Sequence, residues 1–99
     1  MTAHGPQPQI AVRVRISGRV QGVWFRAWTV EQAAALGLKG FVRNRLDGTV
    51  EALFAGPEPA VRAMIDRCHQ GPPRAQVLHV EESPAAGLVP DRFEQKPTV

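Results

Sequence analysis

Nine consecutive residues constrain this chain more than any other stretch: Gly18-Arg19-Val20-Gln21-Gly22-Val23-Trp24-Phe25-Arg26. Before them, Val12-Arg13-Val14-Arg15-Ile16-Ser17 places an apolar residue at every second position, the pattern of a half-buried strand. After them, residues 27–36 are rich in alanine and other helix formers and hold neither proline nor glycine. A strand that enters a helix through a glycine-punctuated turn lets successive main-chain N–H groups converge on an anion. The two glycines permit the sharp backbone, and no proline deletes a donor. Arg26 falls in the expected first helical turn, where its guanidinium can complete what the amides begin. The stretch is a candidate phosphate or oxyanion cradle. The competing reading is a plain β–α turn with a solvated arginine. Neither G-x-G-x-x-G nor G-x-x-x-x-G-K occurs, which excludes dinucleotide and Walker-type sites.

A chain of 99 residues makes one domain with a modest core. Its single cysteine, Cys68, excludes an internal disulfide, and no Cys/His cluster has zinc-ligand spacing. No metal and no cofactor are expected. There is no apolar leader and no apolar run of membrane-spanning length, so a cytoplasmic protein without membrane contact is expected. The net charge is only +3, but it is unevenly spread. Arg13, Arg15, Arg19, Arg26, Lys39, Arg43 and Arg45 face only Glu31 between residues 12 and 45, whereas the rest carries more acids than bases. Such a local positive field attracts small anions or nucleic acid. Solvated arginines on strand faces would produce the same count.

Residues 1–9 hold two prolines and a glycine without an apolar pattern and read as a flexible tail, leaving residues 10–99 as the domain. A first strand is expected over residues 10–17, then a helix from about Gly22 to a left-handed Gly37. Phe25, Thr29, Ala33 and Leu36 are its candidate core face. Strands follow over residues 38–45 and 49–55, joined by Asp47-Gly48, a strong hairpin signal. A second helix starts near Pro57 and carries Val61, Met64, Ile65 and Cys68 at i, i+3, i+4 and i+7. Gly71-Pro72-Pro73 stops it before a strand over residues 76–82. Beyond Pro84, Phe93 reads as either a short edge strand or a core plug.

The succession β-α-β-β-α-β is that of a ferredoxin-like α+β sandwich, a mostly antiparallel four-stranded sheet with two helices on one face. In its usual strand order, 4-1-3-2, the first two strands run parallel with the third between them. Asn44, near the end of the second strand, then lies at the same end of the sheet as the 18–26 loop. It is the chain's only asparagine. Its uncharged amide can hold a water without binding a metal; the alternative role is a turn residue supporting the hairpin.

These two stretches together resemble the acylphosphatase family. Gly18 to Arg26 match the pattern G-x-V-Q-G-V-x-F-R in full, and Gly40-Phe41-Val42-Arg43-Asn44 with Gly48, Val50 and Gly56 match the second family pattern. The resemblance spans residues 12–82. It implies an acylphosphatase that hydrolyses the carboxyl–phosphate bond of acyl phosphates to a carboxylate and inorganic phosphate, by water attack without metal or covalent intermediate. It makes Arg26 the phosphate-binding arginine and Asn44 the residue that positions water. Gly18, Arg19, Val20, Gln21, Gly22, Val23, Trp24 and Phe25 are then the substrate-binding loop. A small acyl phosphate is the expected partner of a monomer. The closing strand departs from the family, with Phe93-Glu94-Gln95-Lys96 followed by Pro97.

Two other classes compete. Cys68 and Arg74 have the Cys-x5-Arg spacing of cysteine-dependent phosphatases, but Pro72 and Pro73 would delete two amide donors from that loop. A non-catalytic anion- or nucleic-acid-binding module of the same fold is the alternative. Against RNA binding, Lys39-Gly40-Phe41 begins like an RNP1 motif, but Val42 and Arg43 break it, and the chain has no tyrosine. Both main motifs lack His, Cys, Asp and Glu, so no evident general acid is available. Substrates are therefore expected to carry a leaving group that departs unaided.

Overall fold

The computed structural model describes residues 8–85 and 87–99. Seven elements follow one another: β1 (Gln9–Arg19), α1 (Phe25–Ala35), β2 (Lys39–Asn44), β3 (Val50–Pro57), α2 (Glu58–Gln70), β4 (Gln76–Pro84) and β5 (Phe93–Gln95). The expected succession is present with one strand more. The sheet runs β4-β1-β3-β2-β5 and is mixed, because β5 lies parallel to β2 while all other pairs are antiparallel. This corrects the expected four-stranded sheet. Phe93 does both things proposed for it: it opens the fifth strand beside Gly40 and stacks on Phe54 with ring centroids 5.5 Å apart. Of the expected tail, residues 1–7 lie outside the described residues. Pro8 accepts a hydrogen bond from the Glu58 N–H at 2.9 Å, and Gln9 already pairs with Pro57.

Alternation sorts the strands by face. Val12, Val14 and Ile16 of β1, Val42 of β2, and Val50, Ala52 and Phe54 of β3 form one buried cluster with residues of both helices. In α2 the apolar stripe Val61, Met64, Ile65 and Cys68 is buried as its spacing predicts. Each such side chain contributes roughly 1.5–3 kcal/mol on burial. Pro57 is the cap preceding α2, not its first residue, and Pro59 occupies the first turn where a missing N–H costs nothing. In α1, Phe25, Thr29 and Ala33 are buried, and the Thr29 hydroxyl is satisfied by donating to the Phe25 carbonyl at 2.8 Å. Leu36 is only partly buried against this core.

The opposite face carries no helix and holds an ion cluster. Glu51, only 2% exposed, accepts from Arg43 Nε at 2.9 Å and Arg45 Nη1 at 2.8 Å, with Arg13 Nε 3.4 Å away. Beside it Phe41 is buried, with Arg43 and Lys96 over its ring at 5.0 and 4.5 Å. The exposed aromatic platform of an RNA-binding sheet is therefore missing from this strand. Burial alone would push the Glu51 carboxyl up, but hydrogen bonds from Arg43 and Arg45, with their charges, outweigh it and hold it below the ordinary range. A depressed folded-state value means that this stabilisation is complete above the unfolded value and is lost as pH falls through the folded one. Glu51→Gln should lower stability near neutral pH by about 2 kcal/mol and flatten the acid limb of a Tm-versus-pH curve. An unchanged acid limb would assign acid unfolding to other carboxylates.

Because β3 lies antiparallel between β1 and β2, those two strands run parallel and end at the same edge. Arg45 N–H and the Thr49 carbonyl pair at 2.9 Å across the Asp47-Gly48 turn, and Asp47 Oδ1 accepts from Thr49 N and Oγ1 at 3.0 and 2.7 Å. This turn and the β1–α1 loop flank one end of the sheet.

Candidate active site

The loop between β1 and α1 gains its shape from alternating handedness. Gly22 has φ 73° and Trp24 has φ 70°, while Val23 between them and Phe25 after them keep negative φ. Backbone of this kind turns neighbouring N–H groups toward one point, making a nest for an anion. For Gly22 the conformation is free; for Trp24, the single positive-φ residue other than glycine among those described, it costs about 1–3 kcal/mol. Two left-handed residues also delay the helix, which begins at Phe25 and not near Gly22 as expected. No side chain caps α1 and no acid sits in its first turn. The Trp28 N–H reaches the Trp24 carbonyl at 3.1 Å, so the amides of Phe25, Arg26 and Ala27 have no acceptor within the helix. The positive end of the helix is left open.

What it opens onto is a cavity of about 250 Å³ lined by Val20, Gly22, Trp24, Phe25, Arg26, Ala27, Asn44 and Gln95. Arg26 and Asn44 meet there as the topology requires. Among the described residues the Arg26 guanidinium has neither counter-ion nor hydrogen-bond partner, and it is the cavity's one charged lining group. Asn44 shares the inward face of β2 with Val42, two residues before it. It is only 9% exposed, and its side-chain amide has no protein partner among the described residues. A nearly buried amide without a protein partner is one whose partner is water or a ligand. The main chain holds it in place: the Asn44 carbonyl accepts from Val99 N–H at 3.2 Å, and Val99 accepts from Leu46 N–H at 2.7 Å.

The remaining loop residues support the cavity without lining it. Gly18 has φ 125°, and a Cβ there would stand 2.2 Å from the Gln76 carbonyl, so its role is close approach to β4. Arg19 ends β1 opposite Gln76, exposed. Val23 is buried in the core. Gln21 turns its amide away and donates at 2.8 Å to the carbonyls of both Arg45 and Thr49, tying the loop to the hairpin that follows Asn44. Gln95 was not expected from the sequence. Its strand is three residues long, too short for an alternation signal.

The positive field inferred from the charge count is partly offset by two carboxylates. Arg13, Arg43 and Arg45 are paired with Glu51, and Arg15 with Asp47 at 3.3 Å. Among the described residues Arg19, Arg26 and Lys39 make no ion pair, and of these only Arg26 lines the cavity between the β1–α1 loop and Asn44. The rival thiol site fails on the same inspection: Cys68 is fully buried on α2, and burial pushes its thiol up to about 12. Among the described residues no three His, Cys, Asp or Glu side chains gather as metal ligands, and no helix is long and apolar enough to cross a membrane.

A family model described as Acylphosphatase matches residues 12–95. The chain is 56% identical over 91 residues to an acylphosphatase of Rhizorhabdus wittichii, covering 92% of each chain. It is 59% identical over 86 residues to one of Rhodospirillum rubrum, covering 87% of this chain and 94% of that one. The solved structure of an acylphosphatase from Coxiella burnetii matches with a TM-score of 0.84 at 30% identity, over 89% of this chain and 93% of that one.

Proposed function

This chain belongs to the acylphosphatase family, and from that premise we propose how its site cleaves the carboxyl–phosphate bond of an acyl phosphate. The observation that carries the reading is the pairing, in one cavity, of an arginine and a largely buried asparagine whose side chains have, among the described residues, neither counter-ion nor hydrogen-bond partner. The phosphoryl oxygens sit on the main-chain N–H groups between Val20 and Arg26 and on the Arg26 guanidinium, whose planar fork suits two oxygens at once. Asn44 holds a water in line behind phosphorus. The water oxygen bonds to phosphorus as the acyl P–O bond breaks. The carboxylate leaves with the bonding pair, and both hydrogens of the water end on the phosphate product, one on the new P–OH and the other passed to a phosphoryl oxygen. No enzyme nucleophile takes part in this reading, since among the described residues no hydroxyl, thiol, imidazole or carboxylate lines the cavity.

The same lining sets the substrate class. Without a general acid the leaving group must depart unprotonated, and a carboxylate does so readily, its conjugate acid having a pKa of about 4. An alkoxide is many units more basic. Since phosphoryl transfer is loose, with little bonding to either oxygen, positioning and charge stabilisation suffice for good leaving groups. Acetyl and benzoyl phosphate should be cleaved with low selectivity for the acyl part, activated aryl esters slowly, and sugar phosphates hardly at all. We take the reaction to need no metal, so a rate series against leaving-group pKa should be unaltered by EDTA. A sugar phosphate turned over with kcat/KM comparable to acetyl phosphate, or EDTA inactivation reversed by a divalent ion, would overturn this chemistry. We take the enzyme to act as a monomer in the cytoplasm, where a reduced Cys68 is at home.

A further inference from the structure

Gln95 lines the cavity from β5, and nothing above gives it a task. In the parallel pair of β2 and β5 it stands opposite Val42, whose side chain faces the core, so Gln95 points to the same side. Phe93, two residues earlier on the same face, fills the core against Phe54. The apolar stripe of β5 thus gives way to a primary amide where the strand reaches the cavity. Its backbone is anchored on both sides: the Arg92 carbonyl accepts from Gly40 N–H at 3.3 Å, and Lys96 N–H donates to the Val42 carbonyl at 2.9 Å. Asn44 lies two residues beyond Val42, so the Cα atoms of Asn44 and Gln95 are diagonal neighbours about 8 Å apart. Two amide side chains with one water between them span such a gap.

We propose that Gln95 is a second holder of the attacking water, acting with Asn44; this rests on the role given to Asn44 above. A water that attacks phosphorus must aim a lone pair at it. If the carbonyl oxygens of the two amides accept its two hydrogens, both of its lone pairs turn to the opposite side, and one of them can be aimed at phosphorus. Neutral acceptors suit the site, because a carboxylate at either position would repel the phosphoryl group. Gln95 is exposed in an edge strand, so its side chain is not needed for folding.

The test is Gln95→Met, which keeps length and removes the carbonyl, assayed with acetyl phosphate alone and combined with Asn44→Ala. The expected result is a kcat lowered about tenfold, the worth of one hydrogen bond, with Tm and inhibition by inorganic phosphate unchanged. In the Asn44→Ala background the same substitution should cost less than twofold, because the water is already unheld. An unchanged kcat, a full tenfold loss in both backgrounds, or weakened phosphate inhibition would each overturn the proposal. Asn44→Ala that keeps full kcat would overturn the role of Asn44 itself, and the single Gln95→Met variant would still read out its own contribution.

Discussion

Arg26→Ala should fold normally, lose all stabilisation by inorganic phosphate, and retain no more than roughly a thousandth of the parent turnover. The size follows from the site's composition. Among the described residues Arg26 is the one charged group lining the cavity, and the other donors, main-chain amides and the side-chain amides of Asn44 and Gln95, are neutral and left in place by the substitution. A phosphoryl group carries charge that those amides meet only with partial dipoles. In the parent, phosphate at a hundred times its dissociation constant adds about 2.7 kcal/mol of stability, a shift of several degrees in Tm. In Arg26→Ala that shift should vanish. The unliganded variant should be no less stable than the parent, because a cation in the first turn of α1 opposes the helix dipole and Arg26 has no counter-ion among the described residues to offset it. A gain of about 0.3–1 kcal/mol is expected, the mark of a residue kept for binding at the expense of the fold. Arg26→Lys should recover little activity, since a point charge does not replace a fork that grips two oxygens. If phosphate still raised the Tm of Arg26→Ala as it does for the parent, the anion would be held elsewhere.

Features encoded within one stretch were legible in the sequence, and of those made by the meeting of distant stretches only what strand order dictates was. The stripe of α2 and the Asp47-Gly48 turn are local, and both stand where the local pattern puts them. That Arg26 and Asn44 would share one end of the sheet followed from strand order, because β3 between β1 and β2 leaves no other arrangement. The start of α1 was misplaced because good helix formers on either side mask two left-handed residues, and Trp24 is not a residue that announces φ 70°. The charge count overstates the field for a different reason. Glu51 lies outside the arginine-rich segment in sequence but between Arg15 and Arg43 in register, and its carboxylate pairs with Arg13, Arg43 and Arg45, so sheet pairing offsets part of what a linear tally leaves positive. β5 stood only as one of two readings of Phe93, because three residues hold no periodicity and its parallel partner lies some fifty residues upstream. Gln95 was lost with it.

Asn44→Ala is the complementary experiment, and its signature should be the reverse of Arg26→Ala. The Asn44 side-chain amide makes no protein hydrogen bond among the described residues, so its removal breaks none and stability should move little. What does depend on residue 44 structurally is its main chain, which alanine retains: the carbonyl still accepts from Val99 N–H, and the register with Val50 is unchanged. Phosphate therefore still finds Arg26 and the loop amides, and its inhibition constant and its effect on Tm should match the parent's. Turnover should not survive. Losing one preorganised polar group aimed at the reacting atoms typically costs on the order of 10²–10³ in rate, and here the loss falls on kcat because the substrate binds as before while water attacks from unselected directions. Asn44→Asp sharpens the point. It keeps an acceptor for the water but sets a negative charge facing the phosphoryl group, so it should lose phosphate affinity as well as rate. Weakened phosphate binding with an unchanged kcat in Asn44→Ala would make Asn44 the anchor of the substrate, and the water would have to be held by other groups in the cavity.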